Sequence, residues 1–403
     1  MQRISSVLLN AMACGAFIDA GTSQAHADTA QISDRLDAEP IASVTVLWAP
    51  GIDGRDDPTD RGSEAALAEI ELGGRAAYIL DNGAEIGGQL VWRAQRDHPN
   101  RPGGAGSPIP GVGDAVGAFS GLSNGAASGD VGARGSLETA FIFIRGGYGE
   151  FSYGRDTGVA ARFQEGDVDV FSHARVSDAR LDLTGLGVVN TRANLTGPAE
   201  KLSYTTPRLL GIRAGASFTP VADRTGLDRN PVSGADGRVR PEIQSAVEVG
   251  LNASRRLRDS GVRIRAGLGY ATATLEASPA VPLTASDSVD VWSAGAEISR
   301  GRFSTGFSTL VSDDGLKNGD YRAWTGGLAY TDAAWTASLT FGQAEADSAQ
   351  VEATTVSIGV ARELEKFGTL TIGYQSVDAE NATNAARSGA DRGGIVIELS
   401  LSL

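Results

Sequence analysis

Residues able to carry chemistry are few in this chain and poorly spaced for it. The single cysteine is Cys14, and the histidines are His26, His98 and His173. Neither His98 nor His173 has a Cys or a second His at the spacing of a transition-metal site. Gly121-Leu-Ser123-Asn-Gly125 matches a nucleophile elbow by letter. It sits in a Gly-rich stretch with no strand before it and no helix after it, the context that motif requires. Gly111-Val-Gly113-Asp is too short for a dinucleotide fingerprint. Asp53, Asp56, Asp57, Asp60 and Glu64 could together hold a hard divalent cation. Their spacing fits no calcium loop, and a solvated acidic surface loop is the preferred reading. The expectation is a protein that is not an enzyme and has no cofactor, with a divalent cation on that surface loop kept as the alternative.

The elements that would position any site are strands. The chain has 403 residues, 53 of them Gly, and a formal net charge of −14. That charge argues against a nucleic-acid partner, because nothing would replace counterions on phosphates. Residues 1–27 read as a secretory signal: Arg3, an apolar run from Val7 to Ile18, then Ala25-His26-Ala27 as cleavage site. A lipoprotein cut before Cys14 is the second reading. Cleavage at Ala27 leaves a chain without cysteine, which suits export through an oxidising compartment. No later apolar run reaches the roughly 18 residues of a membrane helix. Barrel strands are only half apolar, however, so that test does not exclude a membrane barrel.

Residues 28–40 are polar and read as an amino-terminal arm, with the barrel over 41–403. Strand candidates then follow in pairs. Ala65 to Leu80 turns at Asp81-Asn82-Gly83 into Ala84 to Gln95, and Asn-Gly between alternating segments is a strong hairpin signal. From Arg96 to Ser136 the chain reads as a long exposed loop. Leu137 to Asp156 forms a hairpin through Arg-Gly-Gly-Tyr-Gly, and a long acidic and polar segment runs from about Asp156 to Pro198. Further hairpins fill the rest of the chain, giving about sixteen strands in which short turns and longer polar loops alternate strictly. The fold class expected is an all-β transmembrane antiparallel barrel with its long inner loop folded into the lumen.

Side-chain alternation supports that reading. Ile395, Ile397, Leu399, Leu401 and Leu403 oppose Val396, Glu398, Ser400 and Ser402. Trp335, Ala337, Leu339 and Phe341 oppose Thr336, Ser338, Thr340 and Gly342. The second face, rich in Gly, Ser, Thr, Gln and Arg, suits a wide polar lumen, whereas a soluble sandwich would pack both faces into a core. Trp48, Trp324, Tyr330, Trp335 and Tyr374 suit interfacial girdles. Two functions compete: a passive pore, and a non-conducting surface β-protein such as an adhesin.

At ETAFIFIRGGYGEFSYGRDTG and KLSYTTPRLLGIRAGASFTP the sequence resembles the general porins of Gram-negative bacteria, especially alphaproteobacterial ones. LGGRAAYILDNGAEIGGQLVWRAQ resembles the family's early hairpin. The resemblance implies a sixteen-stranded, usually trimeric outer-membrane barrel that passes small hydrophilic solutes and ions. Outer-membrane lipid and lipopolysaccharide would surround it. It implies that the third long loop narrows the lumen, with acidic residues facing arginines on the wall. The acidic candidates are Glu165, Asp167, Asp169, Asp178 and Asp182. The wall candidates, chosen by inward parity, are Arg75, Arg93, Arg213, Arg263 and Arg265. The carboxyl-terminal Leu403, where the family usually has an aromatic residue, is a departure that bears on assembly.

Overall fold

The computed structural model of the protein describes residues 30–33, 35–50, 52, 66–98, 101, 108–109, 117–122, 126–127, 133–222, 227, 241–276, 286–317, 319–365, 367–380 and 390–402. The signal-like start, the acidic cluster from Asp53 to Glu64, and Leu403 lie outside the described residues.

Sixteen antiparallel strands close into one ring. They are β1 (Leu36–Trp48), β2 (Ala66–Ile79), β3 (Glu85–Arg96) and β4 (Arg134–Gly146). After these come β5 (Gly149–Asp156), β6 (Ala199–Thr205), β7 (Ile212–Val221) and β8 (Glu242–Arg256). The third quarter is β9 (Arg263–Glu276), β10 (Ser288–Arg300), β11 (Phe303–Ser312) and β12 (Tyr321–Asp332). The last is β13 (Trp335–Ala346), β14 (Val351–Glu363), β15 (Gly368–Glu380) and β16 (Ala390–Ser402). Each strand pairs with its sequence neighbour, and β16 pairs with β1 from Ile397↔Trp48 to Ser402↔Ser43. Closure leaves no long unpaired edge, which is what a barrel in hydrocarbon requires.

The first hairpin forms as its sequence dictates. Asn82 Oδ1 accepts the Ala84 amide at 3.0 Å, and Gly83 takes φ +77°, which a side chain would strain. Three details depart from the sequence reading. First, β1 begins at Leu36, inside the supposed arm, and Ala30–Ser33 folds back onto it. Pro40 hid this start. It is tolerated because β16 reaches only as far as Ser43, so the far edge of β1 carries no neighbouring barrel strand at Pro40. Second, loops and turns do not alternate strictly: β13 and β14 are joined by only Asp347–Gln350. Third, the segment after β3 is not wholly exposed, since His98, Arg101, Phe119 and Leu122 are buried, and Pro108–Ile109 pairs with Ala126–Ala127.

The outer face is apolar. Leu90, Ile142, Leu268, Leu328, Leu339 and Ile358 are all about half exposed or more. All five tryptophans also point outward, with Trp335 under the Arg362 guanidinium and Trp292 beside Tyr270 (ring centroids 4.2 Å apart). The inner face is not polar throughout. Towards the long-loop end of β8–β15 it carries Ile243, Leu275, Val289, Val291, Leu310 and Val377, all buried. This corrects the expectation of a uniformly polar lumen; the inner loop covers that apolar half-wall.

Candidate functional site: the lumen and its inner loop

β5 and β6 are the shortest barrel strands, at 8 and 7 residues, so the segment between them leaves and rejoins the wall below the rim. That segment, residues 157–198, starts with one helical turn, α1 (Val159–Arg162), and runs along the inside of the ring. Its route follows wall glycines. A Cβ on Gly267 would sit 2.0 Å from the Phe163 carbonyl oxygen, and one on Gly295 would sit 1.9 Å from that of Glu165. On Gly306 it would meet the Gly166 oxygen at 2.3 Å. Gly327, Gly359 and Gly373 continue the track against Val168, Val170 and Phe171. Loop backbone lies where wall side chains are missing, the close approach that only glycine permits.

Polar anchors fix the loop at intervals. The Val159 amide donates to Ser217 Oγ and the Val170 amide to Ser338 Oγ, each at 3.0 Å. On β16, buried Glu398 accepts the amides of Ser172 (2.9 Å), His173 (3.1 Å) and Ala174 (3.1 Å) and the Ser172 hydroxyl (2.6 Å). His173 Nε2 lies 3.2 Å from Glu69 of β2, and Arg180 pairs with both Glu69 and Glu71. The return leg is held by Tyr321, which donates to the Val188 oxygen (2.6 Å), and by Thr196, which donates to Glu248 (2.6 Å). From above, Arg101 donates to the Ala179 and Arg180 carbonyls. Asp314 accepts the Phe119 and Ser120 amides, pinning the β3–β4 segment across to the β11–β12 connection.

The acidic candidates divide by environment. Glu165 is the one that meets the wall directly, lying 3.5 Å from Arg265 Nε and accepting Asn252 Nδ2 at 2.8 Å. Asp167 is exposed to the lumen and pairs within the loop with Arg175 at 3.3 Å. Asp178 does the same with Arg192 at 3.4 Å. Asp169 folds the loop on itself, accepting the Phe171 (3.1 Å) and Val176 (3.0 Å) amides. Desolvation, then the charge of Asp167, pushes its carboxyl up to about 7. Asp182 is buried and accepts the amides of Thr184, Gly185 and Gly187.

The wall arginines also separate. Arg93 is buried between Glu69 (3.4 Å) and Glu138 (3.3 Å). Arg265 bridges Glu165 and Glu297. Arg263 is exposed at the turn end of β9, opposite Arg256 and Ser299. Arg75 lies over Phe143 (4.9 Å) and 3.9 Å from Glu85. Arg213 donates to Thr205 Oγ1 (2.5 Å) and faces the Phe163 ring. So Arg75 and Arg213 remain half-exposed on the β2–β7 wall, where they are joined by Gln89, Arg145 and Glu150, with Arg162 contributed by the inner loop. Sequence reasoning missed Glu398, Arg180, Arg145 and Arg162. Inward parity on β16 and β4 could have found Glu398 and Arg145; nothing in the pattern of the irregular loop marks the other two.

A closed ring with an apolar belt outside, a charged lumen inside and a loop laid through it defines a membrane-spanning β-barrel channel. The chain belongs to the Gram-negative porin family, whose family model matches residues 16–382. It is an outer-membrane diffusion channel. The fold is shared with OprB of Pseudomonas putida (13% identity, TM-score 0.61, covering 92% of this chain and 94% of that one). It is shared also with OmpF of Salmonella typhi (10%, 0.58, covering 92% and 98%). A third is the anion-selective porin of Comamonas acidovorans (12%, 0.54, covering 91% and 99%). No curated protein matches the chain by sequence.

Proposed function

We propose that solutes pass between the inner loop and the β2–β7 wall, sorted by size and charge with no reaction catalysed. The observation that carries this reading is the loop's course: it covers the wall from β8 to β16 and leaves Arg75, Arg145 and Arg213 half-exposed across from Glu165 and Asp167. Carboxylates on the loop and a wall whose three guanidiniums outnumber its carboxylates Glu85 and Glu150 make a transverse field. In a water-filled passage each charge pair is worth about 1 kcal/mol to a few, enough to orient polar solutes and too little to hold them.

The assembly unit in this proposal is a homotrimer, set in outer-membrane lipid and lipopolysaccharide. Its support is an outward groove of about 1090 Å³ across β1–β5, floored by Ala38, Gly74, Ala76, Gly88 and Ala140 between Leu90 and Ile142. Small residues there let another barrel approach closely. Purified protein in a planar bilayer should give stepwise ohmic conductance, with three coupled levels per insertion. A folded barrel that inserts without conducting would return the reading to a non-conducting surface protein.

A further inference from the structure

The turn end of the lumen holds a second feature, which shares Arg145 and Arg213 with the proposed solute passage and so deepens that reading. A pocket of about 500 Å³ opens between the β2–β3, β4–β5 and β6–β7 turns, lined by Glu85, Arg145, Glu150, Arg208 and Arg213. Its carboxylates are already taken: Arg145 forks onto Glu85 at 2.7 and 2.8 Å and approaches Glu150 at 4.0 Å. Arg208 and Arg213 have no carboxylate in ion-pair range among the described residues. Arg208 donates to the Gly211 carbonyl (2.8 Å) and Asn252 Oδ1 (2.5 Å), and Arg213 to the Thr205 hydroxyl. Neutral acceptors thus fix both guanidiniums in place without neutralising them. Glu150 and Arg162 are the nearest further charges to Arg213, and Arg162 is itself paired through Nη1 with Asp156 at 3.3 Å. The lining thus carries three guanidiniums against two carboxylates, a local surplus of positive charge in a chain of net charge −14 that an anion would complement.

We propose that this pocket is a binding site for a small dianionic oxyanion, phosphate or a phosphate monoester, held by Arg208 and Arg213 with Arg145 at its rim. Planar guanidiniums with fixed direction match tetrahedral oxyanions through paired N–H donors, where a lysine would act as a point charge. The site holds solute at equilibrium, in contrast to the unbound passage of simple diffusion. Asn252 links it to the inner loop, since the same side chain accepts from Arg208 and donates to Glu165.

Inorganic phosphate is titrated into the purified barrel in zwitterionic detergent, with ionic strength held constant by potassium chloride and heat as the readout. One saturable site is expected, weakened at least about tenfold by Arg208→Gln with Arg213→Gln. Arg302→Gln, which removes a turn-end cation paired with Asp332 on the opposite side of the ring, should leave binding unchanged. Arg208→Gln alone should weaken binding severalfold if the double variant fails to fold. Glycerol phosphate binding more tightly than phosphate would identify the ester as the preferred solute, and equal affinity the bare dianion. Heat that never saturates, or a loss that is equal in the Arg302 variant, overturns the site. Calorimetry reads binding whether or not the barrel conducts, so this result and the conductance result fail independently.

Discussion

The two walls of the lumen share strand geometry and differ in what they leave to water. From β8 to β15 the inward positions include Gly at mid-height and Ala, Val, Ile or Leu towards the long-loop end, and the inner loop lies directly on them. From β2 to β7 the inward positions include Arg75, Glu85, Gln89, Arg145, Glu150 and Arg213, and they stay half-exposed. A wall without side chains attracts backbone, and a wall with charges keeps water. The narrowing of the channel is therefore off-centre, set by which strands carry glycine rather than by the loop's own stiffness.

The largest effect should come from breaking inside against outside. Leu339→Arg puts a charge on the hydrocarbon face and costs roughly 2–4 kcal/mol, so heat-modifiable folded barrel should be largely lost on a detergent gel. Gln89→Arg, on the open wall, should fold normally and shift ion selectivity towards anions. Equal loss from both would overturn the assignment of faces.

Next comes the covered wall itself. Gly295→Val drives a side chain into the Glu165 carbonyl, an overpacking that costs about 1–3 kcal/mol and pushes the loop towards the open side. Single-channel conductance should fall. Gly147→Ala, in a turn where an added Cβ meets nothing within 4 Å, should leave conductance unaltered.

A smaller change sharpens the charge contrast. Glu165→Gln with Asp167→Asn should move the reversal potential in a salt gradient towards anions, while Asp182→Asn should loosen the loop without that shift. Asp182 makes only internal loop contacts and a bond to the Asp97 side chain through its own amide. A reversal potential indifferent to the first pair would remove these acids from the solute path.

Asp169 gives the smallest effect, and its sign is fixed. Its carboxyl is raised in the folded loop to about 7, so folding takes up a proton, and the loop is best held below about pH 4 and loses that contribution as pH rises through 7. Open-channel current noise should increase from pH 5 to pH 8. Asp169→Asn should flatten that dependence; noise that still rises in the variant assigns it to another group.

Much of the barrel was legible because a period of two and a turn such as Asp81-Asn82-Gly83 are local signals. Pro40 concealed the start of β1 because its tolerance depends on how far a strand 350 residues later extends. The inner loop's limits were readable from its polarity, and its path was not. That path depends on Gly267 lying opposite Gly295 and Gly306 opposite Gly327, adjacencies that exist only once the sheet is paired. Ser338 had the correct parity, yet it lies beneath Val170 and not in open lumen. Asp169 and Asp182 share the acidic character of Glu165, but composition cannot distinguish an acid that caps amides from one that faces water.

Glu398 has a consequence for how the molecule forms. It sits on β16 within the pairing that joins last strand to first, opposite Leu47, and accepts amides 226, 225 and 224 residues earlier. Contacts of such sequence separation slow folding, because chain entropy is lost before they contribute. Neither the seam nor this latch can exist until β16 has been delivered. Ring closure and loop docking are therefore expected to occur together, as one late cooperative step, so that a partly assembled sheet has neither a finished wall nor a narrowed passage.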